Sequence, residues 1–151
     1  MRMYTVVILF AYGGTKTMLV RKDGNCYHGR YNGFGGEIKP NELHEDYADN
    51  AYRKVKEEAN VDLIGLTYLG LLSIPEGDDT ASVAFYAACL TNDQLMNEVY
   101  KASSECQEKM CLFDTSDIIG STLTDDRFAG DGDLQYFVAR GLRMLGLSAE
   151  E

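Results

Sequence analysis

The chain has 151 residues, of which 45% are apolar and 25% charged, and its formal net charge at pH 7 is −10. This length predicts a single domain over residues 1–151 with one hydrophobic core. The acidic balance argues against a nucleic-acid polymer as partner, because binding to a phosphate backbone requires a basic surface. It is compatible with a small phosphorylated ligand that arrives with a divalent cation.

The cysteines and histidines form no pattern that is typical of a structural metal site. Cys26, Cys89, Cys106 and Cys111 include no CxxC pair, and the chain has two histidines. Zinc sites of the usual spacing are therefore not expected. The apolar run at the start is too short to span a membrane and lacks a small-residue cleavage site. We expect a cytoplasmic protein with reduced cysteines and no membrane partner, while its oligomeric state stays open.

The first part of the chain is predicted as a β-hairpin followed by a glycine-rich loop. Residues 4–12 and 15–22 are rich in β-forming side chains, and the double glycine between them permits the positive φ of a tight turn. Five glycines then fall between residues 24 and 36. Such a density predicts a loop, with a short strand around residues 31–34.

A helix is predicted from about residue 43 to Asn60, because apolar side chains recur there at about 100° per residue. Asn60 suits the left-handed conformation in which helices often end. The remaining sequence predicts strands at 63–74 and 81–90, followed by a short helix at 91–102 that begins at a threonine cap. A strand at 110–114 and a final helix at 131–145 complete the prediction. The helices are too few to alternate with the strands as in a doubly wound fold. We therefore expect an α+β or α/β/α sandwich, a mixed β-sheet flanked by helices.

The glycine-rich segment NGFGGEIKP, residues 32–40, matches neither common phosphate-binding motif. No GK[ST] follows its last glycine as in a P-loop, and its glycines do not join a strand to a helix within a βαβ unit. It does place a glycine-rich backbone ahead of a helix that ends in Glu57 and Glu58. Backbone carbonyls and carboxylates are hard oxygen ligands that suit Mg²⁺.

The stretch GGEIKPNELHEDYADNAYRKVKEEANV, residues 35–61, resembles the Nudix box of the MutT/Nudix hydrolases. That pattern has a glycine, five residues, a glutamate, seven residues, and then Arg-Glu-apolar-any-Glu-Glu-any-Gly-apolar. The positions in register are Gly36, Arg53, Val55, Glu57, Glu58 and Val61. The elements before and after the box agree with this family, so the resemblance spans most of the chain and implies the Nudix fold.

This sequence departs from the pattern at three points. The box is three residues too long, so that Glu42 has the right distance from Gly36, whereas Glu45 has the right distance from Arg53. Asn60 replaces the final glycine, and Lys54 stands where the family has a glutamate that helps to bind metal or handle the proton.

Helical spacing places Lys54 on the same face as Glu57 and Glu58, three and four residues later. One interpretation is a surface helix in which Lys54 forms ion pairs with these acids. Such ion pairs stabilise a helix by about 0.3 kcal/mol each. In a metal site, Lys54 would reduce the number of ions bound, reach a substrate phosphate, or abolish hydrolysis. The sequence leaves these alternatives open.

The resemblance implies a role for each matching residue. Glu57 and Glu58 would bind Mg²⁺, with Mn²⁺ as a substitute, assisted by the carbonyl of Gly36. Arg53 would orient a catalytic carboxylate. A further acid would come from Glu105 or Glu108, in the loop before the last strand. The implied reaction is hydrolysis of a phosphoanhydride by activated water.

The segment YNGFGGEI resembles most closely the MutT-like branch that hydrolyses purine nucleoside triphosphates, including oxidised ones such as 8-oxo-dGTP. Asn32 would then read the base, although a turn role beside glycine explains it equally well. Asp131 and Asp133 would contact the base as well, with helix capping as the alternative. Tyr27 would stack on the base and Lys22 would meet phosphates.

Two other functions stay open at this point. Some relatives that hydrolyse nucleoside diphosphate derivatives such as ADP-ribose carry a proline about fifteen residues beyond the box, and Pro75 lies near that distance. Turn chemistry also explains Pro75, which opens the segment PEGDD. The third hypothesis is a nucleotide-binding module with weak or no catalysis. It is supported by Lys54, which replaces a glutamate of the box.

Overall fold

The structure, a computed structural model, describes residues 2–21, 29–39, 46–94 and 109–150. In these segments one sheet is flanked by helices. Its strands are β1 (Arg2–Ala11), β2 (Lys16–Arg21), β3 (Tyr31–Asn32), β4 (Phe34–Glu37), β5 (Thr67–Glu76), β6 (Asp79–Cys89) and β7 (Lys109–Asp114). The helices are α1 (Tyr47–Ala59), α2 (Thr115–Ile119) and α3 (Asp133–Leu145).

The sheet is mixed and is built around β1. This strand pairs in parallel with β6 and antiparallel with both β2 and β4. The main path runs β3-β2-β1-β6-β5, with β4 joined to β1 and β7 joined to β2. The predicted mixed sheet with flanking helices is therefore confirmed.

Helices cover both faces of the sheet, and β1 contributes to a core on each side. Val7 and Leu9 belong to the core under α1, whereas Ile8 and Phe10 belong to the core under α2 and α3. Successive side chains of a strand point to opposite faces, so a strand buried on both faces reads as a continuous apolar run. This explains the unbroken apolar sequence of β1.

The glycine-rich segment owes its composition to the close approach of β4 to β1. A Cβ atom on Gly33 would lie 2.6 Å from the carbonyl oxygen of Val7. At Gly35, where φ is +135°, a Cβ atom would collide with the carbonyl oxygen of Thr5. Only glycine fits such contacts without displacing the backbone. These glycines therefore hold β4 against β1, and much of the segment that the sequence predicts as a loop is strand.

Helix α1 ends at Asn60 as its sequence predicts, but it begins at Tyr47, about four residues after the predicted start. The side chain of Asp46 caps its start by accepting a hydrogen bond of 2.8 Å from the backbone N–H of Asp49. Asn60 ends it in the left-handed region, at φ 57° and ψ 37°. Val55 is fully buried against the sheet, which stabilises the fold by about 1.5–3 kcal/mol.

Two features differ from the sequence expectation. Pro75 lies within β5, opposite Thr80, and the turn follows it at Gly77. Because β5 is an edge strand of the sheet, a residue without an N–H is tolerated there. Helix α2 was not predicted, since its five residues carry too few apolar positions to show a helical period.

The predicted threonine cap is present at the start of the segment that follows β6. Thr91 and Gln94 exchange hydrogen bonds between side chain and backbone, at 2.9 and 3.1 Å, which is the capping-box pattern. Cys89 and Cys111 are free thiols. Across the described segments, no helix has the length and apolar character needed to cross a membrane.

We predict that Gly35→Ala lowers the free energy of unfolding by about 3 kcal/mol or more, or prevents folding, because it forces β4 away from β1. Urea denaturation of the purified protein would measure this change. Gly65→Ala is the matched control, since nothing lies within 4 Å of a Cβ atom at that position. Equal stability of the two variants would show that the close contact at Gly35 is not required.

Candidate functional site

A cavity of about 480 Å³ lies on the face of the sheet that α3 covers. Its apolar wall includes Val83, Phe85 and Leu134. The Phe85 ring stacks on Phe137, with centroids 3.8 Å apart and planes 5° from parallel. A cavity of this volume with an apolar wall and a few polar groups is typical of small-molecule sites.

Asn32 lines this cavity, as expected of a residue that reads a base. Its side-chain oxygen accepts a hydrogen bond of 2.8 Å from the backbone N–H of Gly33. The two interpretations of Asn32 are therefore compatible, because the same side chain closes the turn and faces the cavity. Its amide nitrogen is the part that can donate to a ligand.

Asp133 also lines the cavity, whereas Asp131 is exposed and is not among the lining residues. Partial burial, and then the negative charge of Asp131, raise the pKa of the Asp133 carboxyl above its ordinary value. The capping alternative for both aspartates is wrong, because Gly132 is the N-cap of α3 and no side chain bonds there. Structural placement therefore supports a ligand contact for Asp133 alone.

The two glutamates at the end of α1 are held by different partners. Glu58 is half-buried, and its Oε1 accepts a hydrogen bond of 2.9 Å from the backbone N–H of Gly35. Glu57 is exposed, and its Oε1 lies 2.6 Å from Nη1 of Arg53, one helical turn earlier. Arg53 thus contacts the carboxylate of Glu57, and the role that the resemblance implies for it, orienting a catalytic carboxylate, stays a prediction.

Lys54 does not form the ion pairs that the surface-helix interpretation requires. Within the described residues its ammonium has no hydrogen-bond or ion-pair partner, although Glu57 and Glu58 lie on the same helical face. It points instead at Gly36, where a Cβ atom would lie 3.9 Å from Cε and 4.0 Å from Nζ of Lys54. Gly36 also lines the cavity, so this ammonium lies beside the site.

The donor set at the end of α1 fits one Mg²⁺ ion that is completed by other ligands. Among the residues that the structure describes, no three His, Cys, Asp or Glu side chains converge on one point. Mg²⁺ nevertheless needs only one or two carboxylates when waters and substrate phosphates supply the rest. Glu58, fixed against the glycine backbone at the cavity, together with the adjacent Glu57, meets that requirement. Lys54 occupies the position at which the pattern that the sequence resembles has a further glutamate.

Sequence reasoning missed a polar cluster at one end of the cavity. Tyr4 donates a hydrogen bond of 2.8 Å to Glu76, and Nε of Arg2 lies 3.4 Å from Glu76 and 3.7 Å from Glu37. All four residues line the cavity, as does Arg30. They come from strands far apart in the sequence, so no local pattern could have shown that they meet.

Several candidate residues lie outside the described segments. These are Lys22, Tyr27, Glu42, Glu45, Glu105 and Glu108. Their predicted contacts with phosphate, base and metal stay predictions. The same holds for the choice between Glu42 and Glu45 as the middle glutamate of the box.

Comparison with known proteins gives matches only at the level of structure: no family model and no curated protein matches the chain. A mutT/nudix family protein from Listeria innocua superposes with a TM-score of 0.69 at 16% identity, over 96% of this chain and 94% of that one. The Bacillus subtilis pyrophosphohydrolase BsRppH gives 0.67 at 19% identity, over 95% and 82%. Shewanella oneidensis NrtR gives 0.73 at 14% identity, over 96% and 64%.

These similarities show that the chain has the Nudix fold, as the sequence predicted. The identities are too low to carry a function from one protein to another, and the fold supports many chemistries. The chain spans 61% and 64% of the two NrtR chains that it matches, one of which is complexed with a 27mer DNA.

We predict that Asp133→Asn stabilises the protein relative to the native chain as the pH rises. A raised carboxyl pKa means that folding becomes less favourable between the ordinary value of 3.8 and the raised one, since the folded state there binds more protons. The asparagine variant does not lose stability in this way. The difference between its Tm and that of the native chain should therefore grow as the pH rises through that interval and stay constant above it. Asp78→Asn, at an exposed position in the β5–β6 turn, is the control. A Tm difference that does not change with pH would contradict the prediction.

Proposed function

We propose that this chain, which has the Nudix fold, is a Mg²⁺-dependent pyrophosphohydrolase that cleaves a nucleoside triphosphate to a monophosphate and pyrophosphate. The observation that carries the proposal is the bond between Glu58 and the N–H of Gly35. Gly35 lines the cavity of about 480 Å³ and Glu58 does not, so this bond supports Glu58 as a ligand at the edge of the cavity. A small-molecule nucleotide is then the partner, and the net charge of −10 argues against DNA or RNA.

In this proposal the cavity binds the base and sugar, and the end of α1 binds the phosphates. Phe85 and Leu134 provide apolar surface for a base. The Asn32 amide nitrogen donates to an acceptor on the base edge. Asp133, whose carboxyl pKa is raised, provides a second hydrogen-bonding group on the same wall. The phosphates then extend past Gly36 toward Glu57 and Glu58.

The residues of α1 bind and orient the reacting groups. Glu58 and Glu57, with the carbonyl of Gly36, are the groups that would hold Mg²⁺, or Mn²⁺ in its place. The ion, when bound, supplies neutralisation of phosphate charge and a lowered pKa of water. Arg53 is a positioning residue, because its guanidinium holds the Glu57 carboxylate at 2.6 Å. Water adds to phosphorus as the phosphoanhydride bond breaks, which releases the two products.

A purine nucleoside triphosphate, including an oxidised purine, is the substrate that we favour. Two hydrogen-bonding groups of different kinds, an amide donor and a carboxyl with a raised pKa, face the cavity from Asn32 and Asp133. Such a pair can bind a base edge that offers an acceptor beside a second polar atom. The ADP-ribose alternative rests only on the distance of Pro75 from the box, and Pro75 lies in the edge strand β5 outside the lining of the cavity.

One observation favours a second candidate, a nucleotide-binding module without turnover. Lys54 brings a positive charge to the position of a box glutamate, beside Gly36. A panel of nucleoside triphosphates, ADP-ribose and dinucleotides, incubated with the protein and Mg²⁺, would separate the candidates by their products. Monophosphate plus pyrophosphate supports hydrolysis of triphosphates, and ligand binding without product supports the module. Cleavage confined to ADP-ribose would overturn both.

We predict that Glu57→Gln and Glu58→Gln, made separately, each reduce kcat at least about 100-fold, because each removes a charge that acts on the transition state. Steady-state assay of pyrophosphate release measures the effect. Asp49→Asn, which neutralises an exposed acid in the first turn of the same helix, should leave kcat unchanged. Hydrolysis that survived in both glutamine variants would exclude the proposed site.

For Asn32, we predict that replacement by aspartate raises KM about tenfold, which corresponds to one lost hydrogen bond. Aspartate keeps an oxygen that can accept from the Gly33 N–H, but it lacks the amide donor. The measurement is KM for the best substrate of the panel, with the free energy of unfolding as a check on the turn. An unchanged KM would mean that Asn32 serves the turn and does not bind the base.

A further inference from the structure

Lys54 is a half-buried cation without a partner in the part of the chain that the structure describes. The acids that could neutralise it lie three and four residues away on the same helix, at a spacing that normally gives ion pairs. Both are held elsewhere, Glu57 by Arg53 and Glu58 by the backbone N–H of Gly35. The lysine therefore does not serve to stabilise the helix through an ion pair.

The ammonium of Lys54 lies beside Gly36, which lines the cavity. Its Cε and Nζ lie 3.9 and 4.0 Å from where a Cβ atom would stand on Gly36. Among the described residues, no other atom lies within 4 Å of that Cβ position, so no neighbouring side chain fills the space next to Gly36. Lys54 itself is not among the residues that line the cavity, whereas Gly36 is. The ammonium therefore lies at the edge of the cavity beside Gly36, where the proposed function puts the polyphosphate.

An unpaired ammonium at such a place has an ordinary chemical use. Lysine binds phosphate as a point charge, with hydrogen bonds that are stronger than those between neutral groups. The need for a cation is large here, since the chain carries a net charge of −10 and two glutamates flank the site. A phosphate that approached those glutamates without a nearby positive charge would be repelled.

We propose that Lys54 is a phosphate-binding residue that takes over one contact otherwise made by a divalent cation, so that the site binds polyphosphate even without metal. This inference rests on the proposed function, because it assigns the phosphate end of the same site. It also implies that the glutamates hold fewer ions than three box carboxylates on the helix would hold. In this proposal Lys54 binds a phosphate of the substrate before the reaction begins. Any effect of Lys54 on turnover follows from that binding.

Binding of inorganic triphosphate in the presence of EDTA tests this inference without a base and without metal. Isothermal titration calorimetry should detect binding to the native chain, and Lys54→Gln should weaken it about tenfold or more. Lys54→Arg keeps the positive charge and should restore at least part of the affinity. Lys56→Gln is the matched control, since Lys56 is exposed on the same helix and pairs with Asp62 at 3.0 Å.

A second measurement uses the metal alone. Lys54→Glu would place a third carboxylate beside Glu57 and Glu58, so Mn²⁺ binding, followed by the electron paramagnetic resonance of the free ion, should tighten or rise in stoichiometry. Lys56→Glu makes the same charge change on another face of α1 and should not do so. Circular dichroism of each variant confirms that it is folded.

The outcomes separate this inference from the proposed function. If the native chain bound triphosphate only with Mg²⁺, and Lys54→Gln bound it equally well, the inference would be wrong while the pyrophosphohydrolase proposal stood. If the native chain hydrolysed nucleotides and lost triphosphate binding in EDTA on Lys54→Gln, both would hold. Absence of nucleotide and triphosphate binding under all conditions would overturn both.

Discussion

The site depends on the contact between the backbones of β4 and β1. Gly33 and Gly35 bring the two strands so close that no side chain fits between them. This approach carries the N–H of Gly35 to the carboxylate of Glu58, which fixes the end of α1 relative to the sheet. A buried or half-buried carboxylate that receives a backbone N–H is held more firmly than a side chain on a solvated surface. The glycines have no side chain that could contact a ligand, and they contribute to the proposed site by positioning the acids.

The glycine-rich strand β4 lies between two parts of the proposed site that have different functions. On the α3 side, Asn32, Asp133 and apolar side chains line a cavity of about 480 Å³. On the α1 side, charged groups collect at the end of one helix, with Lys54 facing Gly36. A nucleotide has the same division between an uncharged base and a charged polyphosphate. The edge of a single glycine-rich strand is therefore a suitable place to bind both parts at once.

Electrostatics distinguishes this site from the pattern that its sequence resembles. A helix with three box glutamates would concentrate negative charge, which suits the binding of divalent metal ions. Here Arg53 neutralises Glu57, Gly35 binds Glu58, and Lys54 supplies a positive charge that the described residues leave unpaired. The substitution of one glutamate by lysine changes the local charge by two units in a chain whose surface is strongly acidic. Within the described structure no carboxylate pairs with this lysine, and the proposed phosphate contact of Lys54 follows from that.

Sequence alone determined the elements whose signals are local. The apolar run of β1, the double glycine of the hairpin, and the left-handed end of α1 at Asn60 are short-range patterns, and the box register put Arg53, Glu57 and Glu58 on one helix. Tertiary structure alone decided which groups meet. It paired Glu58 with Gly35, left Lys54 without its helical partners, brought Arg2, Tyr4 and Glu76 to one end of the cavity, and placed Asp133 in the cavity but Asp131 outside. The physical reason is that these contacts join residues far apart in the chain, and their geometry follows from how the sheet closes around β1.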